Sequence, residues 1–370
     1  MKAYNINDVL RIAKRHNNNK RSYLLVNPLQ GKHLPVSPTS ALDMMKTLGD
    51  KLASKYSECK LVIGFAETAT AIGAMVAASL NEECIYIHTT RENFDDEYRF
   101  INFLEEHSHA PEQKLYSDKL NDWLKNTSTV IFVDDELSTG KTLRNIISQL
   151  KSAFLILNNK NLVAASIINR LSSENEKLFR DAGIECEYLV KLSEQNFNVS
   201  DLETHAPKIL NPFDDDKILF NKKISLSNPR LGVNIHNYIK ELTQLGNEIS
   251  NLDADSILVL GTEECMLPAI ITGKILESRG YNIVTHSTTR SPIGVSYQNN
   301  YPITEGYQIK SFYDLNLTTY IYNLKYYDLI LVISDVEIWR PEAVNSLVAA
   351  LNVHGYGKII FIGGNDVQHL

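Results

Sequence analysis

Cysteine is scarce in this chain, and what there is stays scattered. Cys59, Cys84, Cys186 and Cys265 form no C-x-x-C pair. That argues against a disulfide framework and against a structural zinc site. Reduced thiols are the ordinary state of a cytosolic protein. Long apolar runs are missing too. None reaches the roughly 18 to 20 residues that span a bilayer, so no membrane association is expected. The stretch from Met1 to Lys20 is polar and Asn-rich and lacks the apolar core of a signal peptide, which places the protein in the cytoplasm as an expectation. A basic surplus is also missing. The formal net charge is −7 and no long basic stripe appears. Long nucleic acid is therefore a poor partner, since its affinity rests on Lys and Arg neutralising phosphates. A small polyanion remains compatible, because a few local donors and a metal ion can bind it.

What is present is an ordinary globular composition, with 44% hydrophobic and 22% charged residues in 370, enough for two or three domains. Apolar runs at Ser22–Val26, Leu61–Phe65, Cys84–His88, Thr129–Val133 and Leu162–Ile168 read as buried strands. Ala69–Leu80 and Thr142–Leu150 read as helices between them. Such alternation predicts an α/β fold with mostly parallel sheets covered on both faces. Residues 201–232 are turn-rich and polar and read as a linker between a domain at 1–200 and another at 233–370. The Asp214–Asp216 run inside it reads as solvated charge ahead of a metal site.

The second half restarts the pattern. Strands are expected at Ser256–Leu260, Asn282–His286, Tyr327–Ile333 and Lys358–Ile362, and helices at Pro268–Ser278 and Pro341–Leu351. Val62-Ile-Gly-Phe-Ala-Glu67 precedes a helix, a strand and Thr89-Thr-Arg91. Val259-Leu-Gly-Thr-Glu-Glu264 precedes a helix, a strand and Thr288-Thr-Arg290. An apolar strand ending in acid follows at a similar distance in each half. This order reads as an internal duplication.

The most informative segment is Val130-Ile-Phe-Val-Asp-Asp-Glu-Leu-Ser-Thr-Gly-Lys-Thr142. Apolar residues form a strand, and Asp134 and Asp135 stand at its C-terminal end, where open α/β sheets bind ligands. Glu136, Leu137, Ser138, Thr139, Gly140, Lys141 and Thr142 then form a loop of small and hydroxyl residues running into a helix. Backbone N–H groups, hydroxyls and the helix dipole converge there into a phosphate cradle. The two aspartates can accept hydrogen bonds from neighbouring ribose hydroxyls, so one motif holds a sugar and its 5-phosphate. A Walker A loop is the rival for Gly140-Lys141-Thr142. It requires an upstream glycine, and Asp135 and Glu136 stand near that spacing instead.

This segment resembles the PRPP (5-phosphoribosyl 1-pyrophosphate) motif of type I phosphoribosyltransferases: an apolar strand, two acids and a Thr-Gly-x-Thr loop. The resemblance implies a type I phosphoribosyltransferase fold followed by a second, diverged phosphoribosyltransferase-like or Rossmann-like α/β domain. It implies that Ala66, Glu67, Thr68, Ala69 and Thr70 bind pyrophosphate through main-chain N–H groups, with small residues letting the anion approach. Orotate phosphoribosyltransferases carry a mobile basic loop where this chain has Arg91, Arg99, His107 and His109. By that likeness Arg91 and Arg99 neutralise the leaving group, the histidines assist proton traffic, and closure excludes water. Solvated loop histidines are the plainer alternative. The segment Val26-Asn-Pro-Leu-Gln-Gly-Lys-His-Leu-Pro-Val-Ser-Pro38 sits where the family places a hood over the acceptor, which would bring Lys32 and His33 to a substrate; a plain surface loop is the rival. Mg²⁺ is the implied cofactor, associated with Asp134 and Asp135 indirectly, through sugar hydroxyls or water. The implied substrates are PRPP and a small-molecule acceptor.

The chain as a whole is similar to one family, which pairs an orotate-phosphoribosyltransferase-like domain with a C-terminal domain named for a Thr-Arg-Ser-Pro motif, here Thr289-Arg290-Ser291-Pro292. Its members are associated with bacterial tellurite-resistance and stress gene clusters, which implies a transferase making a nucleoside-like compound, with a homodimer and stress-pathway protein partners as further associations. A non-catalytic PRPP-binding regulator, or an interaction module, is the alternative. The second half departs from the transferase pattern, since Ser334-Asp335-Val336-Glu337 has one acid directly after its strand and Pro341 follows in place of small residues. Glu263, Glu264, Thr289, Arg290 and Ser291 are its candidate polar site; a packing or docking role is the rival.

Overall fold

The structure, a computed structural model, describes residues 2–17, 22–93, 97–103, 113–193, 197–213, 218–221, 226–250, 252–364 and 366–367. Two compact units emerge from the chain's contacts. The first comprises Met1–Ile6, Asp43–Gln195 and Ser227–Ile239, and the second Asn7–Leu42, Asn196–Leu226 and Lys240–Leu370.

The first unit is built on β1 (Leu61–Gly64), β2 (Ile85–His88), β5 (Thr129–Leu137), β6 (Asn161–Asn169) and β7 (Ile184–Lys191), with β3 (Phe100–Phe103) and β4 (Gln113–Tyr116) as a separate antiparallel hairpin. The sheet order is β2-β1-β5-β6-β7, all parallel, and the Val233–Asn234 strand adds antiparallel beyond β2. A parallel sheet needs both faces covered, so its strands read as apolar runs. β6 shows this, with every residue after Asn161 buried. Helix α1 (Thr70–Ala78) follows β1, and α2 (Lys141–Ala153) follows β5. Leu143, Ile146, Ile147 and Leu150 recur at helical spacing on α2 and join Phe132, Leu162 and Phe179 in one core.

The second unit repeats this plan. Its sheet is β8 (Ile218–Asn221), β9 (Ser256–Gly261), β10 (Asn282–Ser287), β13 (Tyr327–Ile333) and β14 (Tyr356–Ile362), in the order β10-β9-β13-β14-β8 and parallel throughout. Helix α3 (Leu267–Ser278) follows β9 and α4 (Pro341–Asn352) follows β13. Between β10 and β13 lies an antiparallel hairpin of β11 (Gly306–Lys310) and β12 (Thr318–Tyr322), just as β3 and β4 lie between β2 and β5. The first four strands of each unit thus share one spatial order, and each order has a hairpin at the same point in the chain.

Register makes the correspondence residue by residue. Gly64 pairs with His88 and Val133, and Gly261 pairs with Ser287 and Ile333. The Thr89 N–H donates to the Gly64 carbonyl at 2.9 Å, and the Thr288 N–H to the Gly261 carbonyl at 3.1 Å. Thr90 exchanges backbone hydrogen bonds with Lys114 of β4, and Thr289 with Tyr320 of β12. These shared contacts are what an internal duplication leaves behind.

Three segments depart from the sequence reading. β5 runs to Leu137, past the expected end at Val133, because Asp134 and Glu136 stay in register with Ser166 and Ile168 of β6. The expected linker 201–232 contributes β8, where the apolar Ile-Leu-Phe run gives the sheet an edge strand. Residues 7–42 group with the second unit. There the Arg11–Lys14 and Tyr23–Val26 strands pair antiparallel, and Val36 bridges Thr285 of β10. Ala13 and Val26 enter a core with Ile293, Val295, Tyr301 and Tyr322. Asp214, Asp215 and Asp216 lie outside the described residues. Among the described residues, no helix is long and apolar enough to cross a membrane.

Candidate functional site

In an open parallel sheet, neighbouring strands whose connections leave in opposite directions open a crevice at their C-terminal ends. In the first unit that point lies between β1 and β5. The Phe65 N–H donates to the Val133 carbonyl at 2.9 Å, so the loop leaving β1 starts beside Asp134, the first of the two aspartates on β5. The loop after β1 is Phe65–Ala69, and β5 runs on past Val133 to Leu137 before its own loop, Ser138–Gly140; the sequence candidates Ala66–Thr70 and Glu136–Thr142 overlap these two loops.

The β5 loop supplies carboxylates first. Asp134 is half-buried, and its Oδ1 accepts from the Asp135 N–H at 2.9 Å. Burial, followed by the neighbouring Asp135 charge, pushes the Asp134 carboxyl well above the usual carboxylate range. Asp135 and Glu136 are half-buried as well. Glu136 is held by Arg170, whose Nη1 lies 3.2 Å from its Oε1, while the Arg170 N–H donates to the Leu137 carbonyl. Leu137 turns into the core. Ser138, Thr139 and Lys141 are exposed and Thr142 half-buried. Thr139 Oγ1 accepts from the Lys141 N–H at 3.3 Å.

Gly140 is the residue on which this turn depends. Its φ is +63°, a left-handed conformation that L side chains resist. A Cβ there would stand 2.3 Å from Phe179 Cε2, inside any van der Waals contact. The N-cap residues of α2 and α1, Gly140 and Ala69, supply no side-chain cap, and at α2 Thr139 reaches only the Lys141 N–H. First-turn N–H groups without a side-chain cap are the ordinary binding element for an anion at a helix N-terminus.

The β1 loop is small and tightly held. Ala66, Ala69 and Thr70 are buried, Glu67 is 8% exposed, and Thr68 is half-buried. The Ala66 N–H donates to Thr89 Oγ1 at 2.9 Å, and Thr89 Oγ1 in turn donates to Gln113 Oε1 at 2.6 Å. The hairpin's β4 is thereby tied to the loop. A Cβ at Gly64 would meet the Tyr86 hydroxyl at 2.6 Å. The same hydroxyl donates to the Thr70 carbonyl at 2.5 Å and fixes the start of α1.

Arg91 and Arg99 are both exposed, and Arg99 Nε lies 3.9 Å from Asp118 Oδ1. His107 and His109 lie outside the described residues, in the stretch that joins β3 to β4. By contact, Lys32 and His33 group with the second unit. Lys32 is fully buried and its Nζ donates to the carbonyls of Glu263 at 2.6 Å and Thr288 at 2.9 Å. This ammonium fastens the two segments that carry Glu263 and Thr288. His33 is buried too, and among the described residues neither ring nitrogen has a hydrogen-bond partner. Of the second-unit candidates, Arg290 and Glu263 meet across the two segments. Arg290 Nε lies 3.0 Å from Glu263 Oε2, the Ser291 N–H donates to Thr289 Oγ1, and Glu264 is buried beside them in the chain.

Two contributors escaped the sequence reading. Thr89 stands inside the Thr-Thr-Arg repeat, so a signal existed. Arg170 had none, because β6 alone brings it to Glu136. For a divalent cation, the run Asp134-Asp135-Glu136 offers carboxylates just ahead of the Ser138–Gly140 loop. Among the described residues no three His, Cys, Asp or Glu side chains gather as a metal site. Mg²⁺ takes one or two carboxylates from a protein and fills the rest of its shell from substrate oxygens and water.

A family model described as phosphoribosyl transferase (PRTase_2) matches residues 9–195, and one described as the TRSP domain C-terminal to PRTase_2 matches residues 227–351. No curated protein matches the chain. Among similar solved structures is adenine phosphoribosyl transferase from Trypanosoma brucei, in complex with AMP, pyrophosphate and ribose-5-phosphate. It is 17% identical over 42% of this chain and 65% of its own, with a TM-score of 0.32. This chain therefore spans just under two thirds of that protein. Adenine phosphoribosyltransferase from Rhodothermus marinus is 14% identical over 50% and 96%, with a TM-score of 0.36. Orotate phosphoribosyltransferase from Aeropyrum pernix is 17% identical over 50% and 89%, with a TM-score of 0.32.

Proposed function

Because the chain belongs to the PRTase_2 phosphoribosyl transferase family and carries that family's TRSP domain, we propose that its first unit binds PRPP and transfers the phosphoribosyl group to a small acceptor. The observation that carries this reading is the pairing at the switch point. The Ala66–Thr70 segment leaves β1 beside Asp134, through the hydrogen bond from Phe65 N–H to the Val133 carbonyl, and β5 then leads into the Ser138–Thr142 segment. One loop suits a ribose 5-phosphate and the other a pyrophosphate on the same sugar.

In the reaction, the bond between the anomeric carbon and a pyrophosphate oxygen breaks, and a bond to the acceptor nucleophile forms. Positive charge builds on the sugar as pyrophosphate leaves. The protein's part is positioning and charge stabilisation. Asp134 and Asp135 accept from the ribose hydroxyls, and the N–H groups at the start of α2, with Ser138 and Thr139, hold the 5-phosphate. The main chain from Ala66 to Thr70 receives the pyrophosphate, and Arg91 and Arg99 add positive charge beside it. Bound Mg²⁺ would neutralise pyrophosphate charge, and Asp134 and Asp135 are the residues that would hold it through sugar hydroxyls or water.

The setting that the family resemblance implies is a stress-response pathway with a nucleoside-like product, in the cytoplasm and with self-association as a homodimer. The test is pyrophosphate release from PRPP and Mg²⁺ across panels of purine, pyrimidine and non-base acceptors. Release with one acceptor class identifies the transferase and its substrate. PRPP binding without release across every panel would identify a PRPP-binding regulator instead.

A further inference from the structure

The second unit repeats the frame of the first, and its contacts show what became of the ligand positions. Gly64 corresponds to Gly261 and Val133 to Ile333 by their shared pairings. Two residues beyond each glycine, the Ala66 N–H donates to Thr89 Oγ1 and the Glu263 N–H donates to Thr288 Oγ1, both at 2.9 Å. Ala66 and Glu263 therefore occupy one position in the two loops, and Arg91 corresponds to Arg290.

The difference at that position is chemical. Ala66 offers a methyl group. Glu263 offers a carboxylate that is fully buried, with Arg290 Nε 3.0 Å from Oε2, and with Ser311 Oγ at 2.8 Å and the Phe312 N–H at 3.1 Å donating to Oε1. An arginine, a hydroxyl and a main-chain N–H are what a cradle presents to a phosphate oxygen. Glu263 has a φ of +46°, a conformation that a non-glycine residue keeps only when its surroundings enforce it. Those surroundings include Lys32, whose buried ammonium clamps the carbonyls of Glu263 and Thr288.

The other half of the frame is filled as well. Counting from Val133 and Ile333 to the helices that start at Lys141 and Pro341, Asp134 corresponds to Ser334, Thr139 to Trp339 and Gly140 to Arg340. Ser334 Oγ lies 2.6 Å from Thr262 Oγ1, and the Tyr313 hydroxyl donates to Asp335. Trp339 is buried against Phe312 and Phe361, and its indole N–H donates to the Gly363 carbonyl at 2.7 Å.

We propose that the second unit is a sugar-phosphate frame closed on itself. The Glu263 carboxylate takes the place of a pyrophosphate oxygen, Trp339 fills the 5-phosphate cradle, and each chain holds a single PRPP. The proposal rests on reading the Ala66–Thr70 loop of the first unit as a pyrophosphate cradle. It implies that the anion site of the second unit is one side chain away from opening.

The experiment counts inorganic pyrophosphates bound per full-length chain, with Mg²⁺, by calorimetry. Glu263→Gly removes the carboxylate and suits the left-handed backbone. Glu263→Asn, which also tolerates that backbone, serves if the glycine variant does not fold. The count rises by one in the variant, and adding Arg290→Met removes the gained site. It rises from one to two if the first unit binds pyrophosphate as proposed, and from none to one if that separate reading fails. Two results would overturn the closed frame. The unaltered chain could already hold a pyrophosphate that Arg290→Met alone abolishes, or both folded Glu263 variants could gain none.

Discussion

Asp134 faces opposing demands. A carboxylate half-buried beside another carboxylate resists ionisation, and its pKa is raised accordingly. A group that accepts from sugar hydroxyls and stands near a cation works best ionised. Such conflict between stability in the fold and usefulness to a ligand recurs at functional sites, and the proposed function assigns it to Asp134. In the second unit the counterpart is Ser334, which satisfies itself on Thr262. His33 and His286 show the opposite case, in which burial serves structure. Burial first, then the nearby Lys32 charge, lowers the His33 pKa to about 3. Burial likewise takes His286 to about 4. Both are neutral in the fold and gain protons readily only once unfolded, near the ordinary value of about 6.5. The unfolded chain therefore binds more protons below that pH. Stability contributed by these rings is full above about 6.5 and is lost as pH falls toward 4. We expect urea midpoints of the second unit's transition to drop between pH 6.5 and 4.5. His33→Leu should flatten that dependence by about one proton, or roughly 1.4 kcal/mol per pH unit. An unchanged slope in the variant would contradict the assignment.

At the scale of elements, the turn from β5 into α2 does most to shape the site, and Gly140 is its pivot. Alanine there meets both a positive φ and the ring of Phe179, which is fully buried. Overpacking and backbone strain together predict a loss of about 2–3 kcal/mol, read as a shift in denaturation midpoint, with PRPP affinity falling alongside. A Gly140→Ala chain as stable as its parent would mean that the turn is not built as described. Much of this element was legible beforehand: the apolar run, the two acids and the Thr-Gly-x-Thr order marked strand, loop and helix correctly. The strand's extension to Leu137 was not, because Asp134 and Glu136 look like loop residues until β6 supplies their partners. The Ile218–Asn221 strand was hidden for a similar reason, a short apolar piece among polar turns whose pairing partner, β14, lies far along the chain.

At the scale of the whole molecule, the duplication was readable from the repeated Thr-Thr-Arg and the order of strands, and the spatial orders β2-β1-β5-β6 and β10-β9-β13-β14 carry it into three dimensions. The allegiance of residues 7–42 was not readable. Local pattern shows that Val36 is extended, yet two similar sheets offer similar edges, and only the tertiary contacts reveal that it bridges Thr285. The same duplication separates an open frame from a closed one within a single chain, which makes the number of PRPP molecules bound a direct reading of the account. The measurement to make is calorimetric titration of PRPP with Mg²⁺ into the unaltered chain and into Asp134→Asn/Asp135→Asn. The account predicts one PRPP per unaltered chain and an affinity at least a hundredfold weaker in the double variant, the size of two charge-assisted hydrogen bonds at about 1.5 kcal/mol each. No binding by the unaltered chain, or equal binding by both, would contradict it.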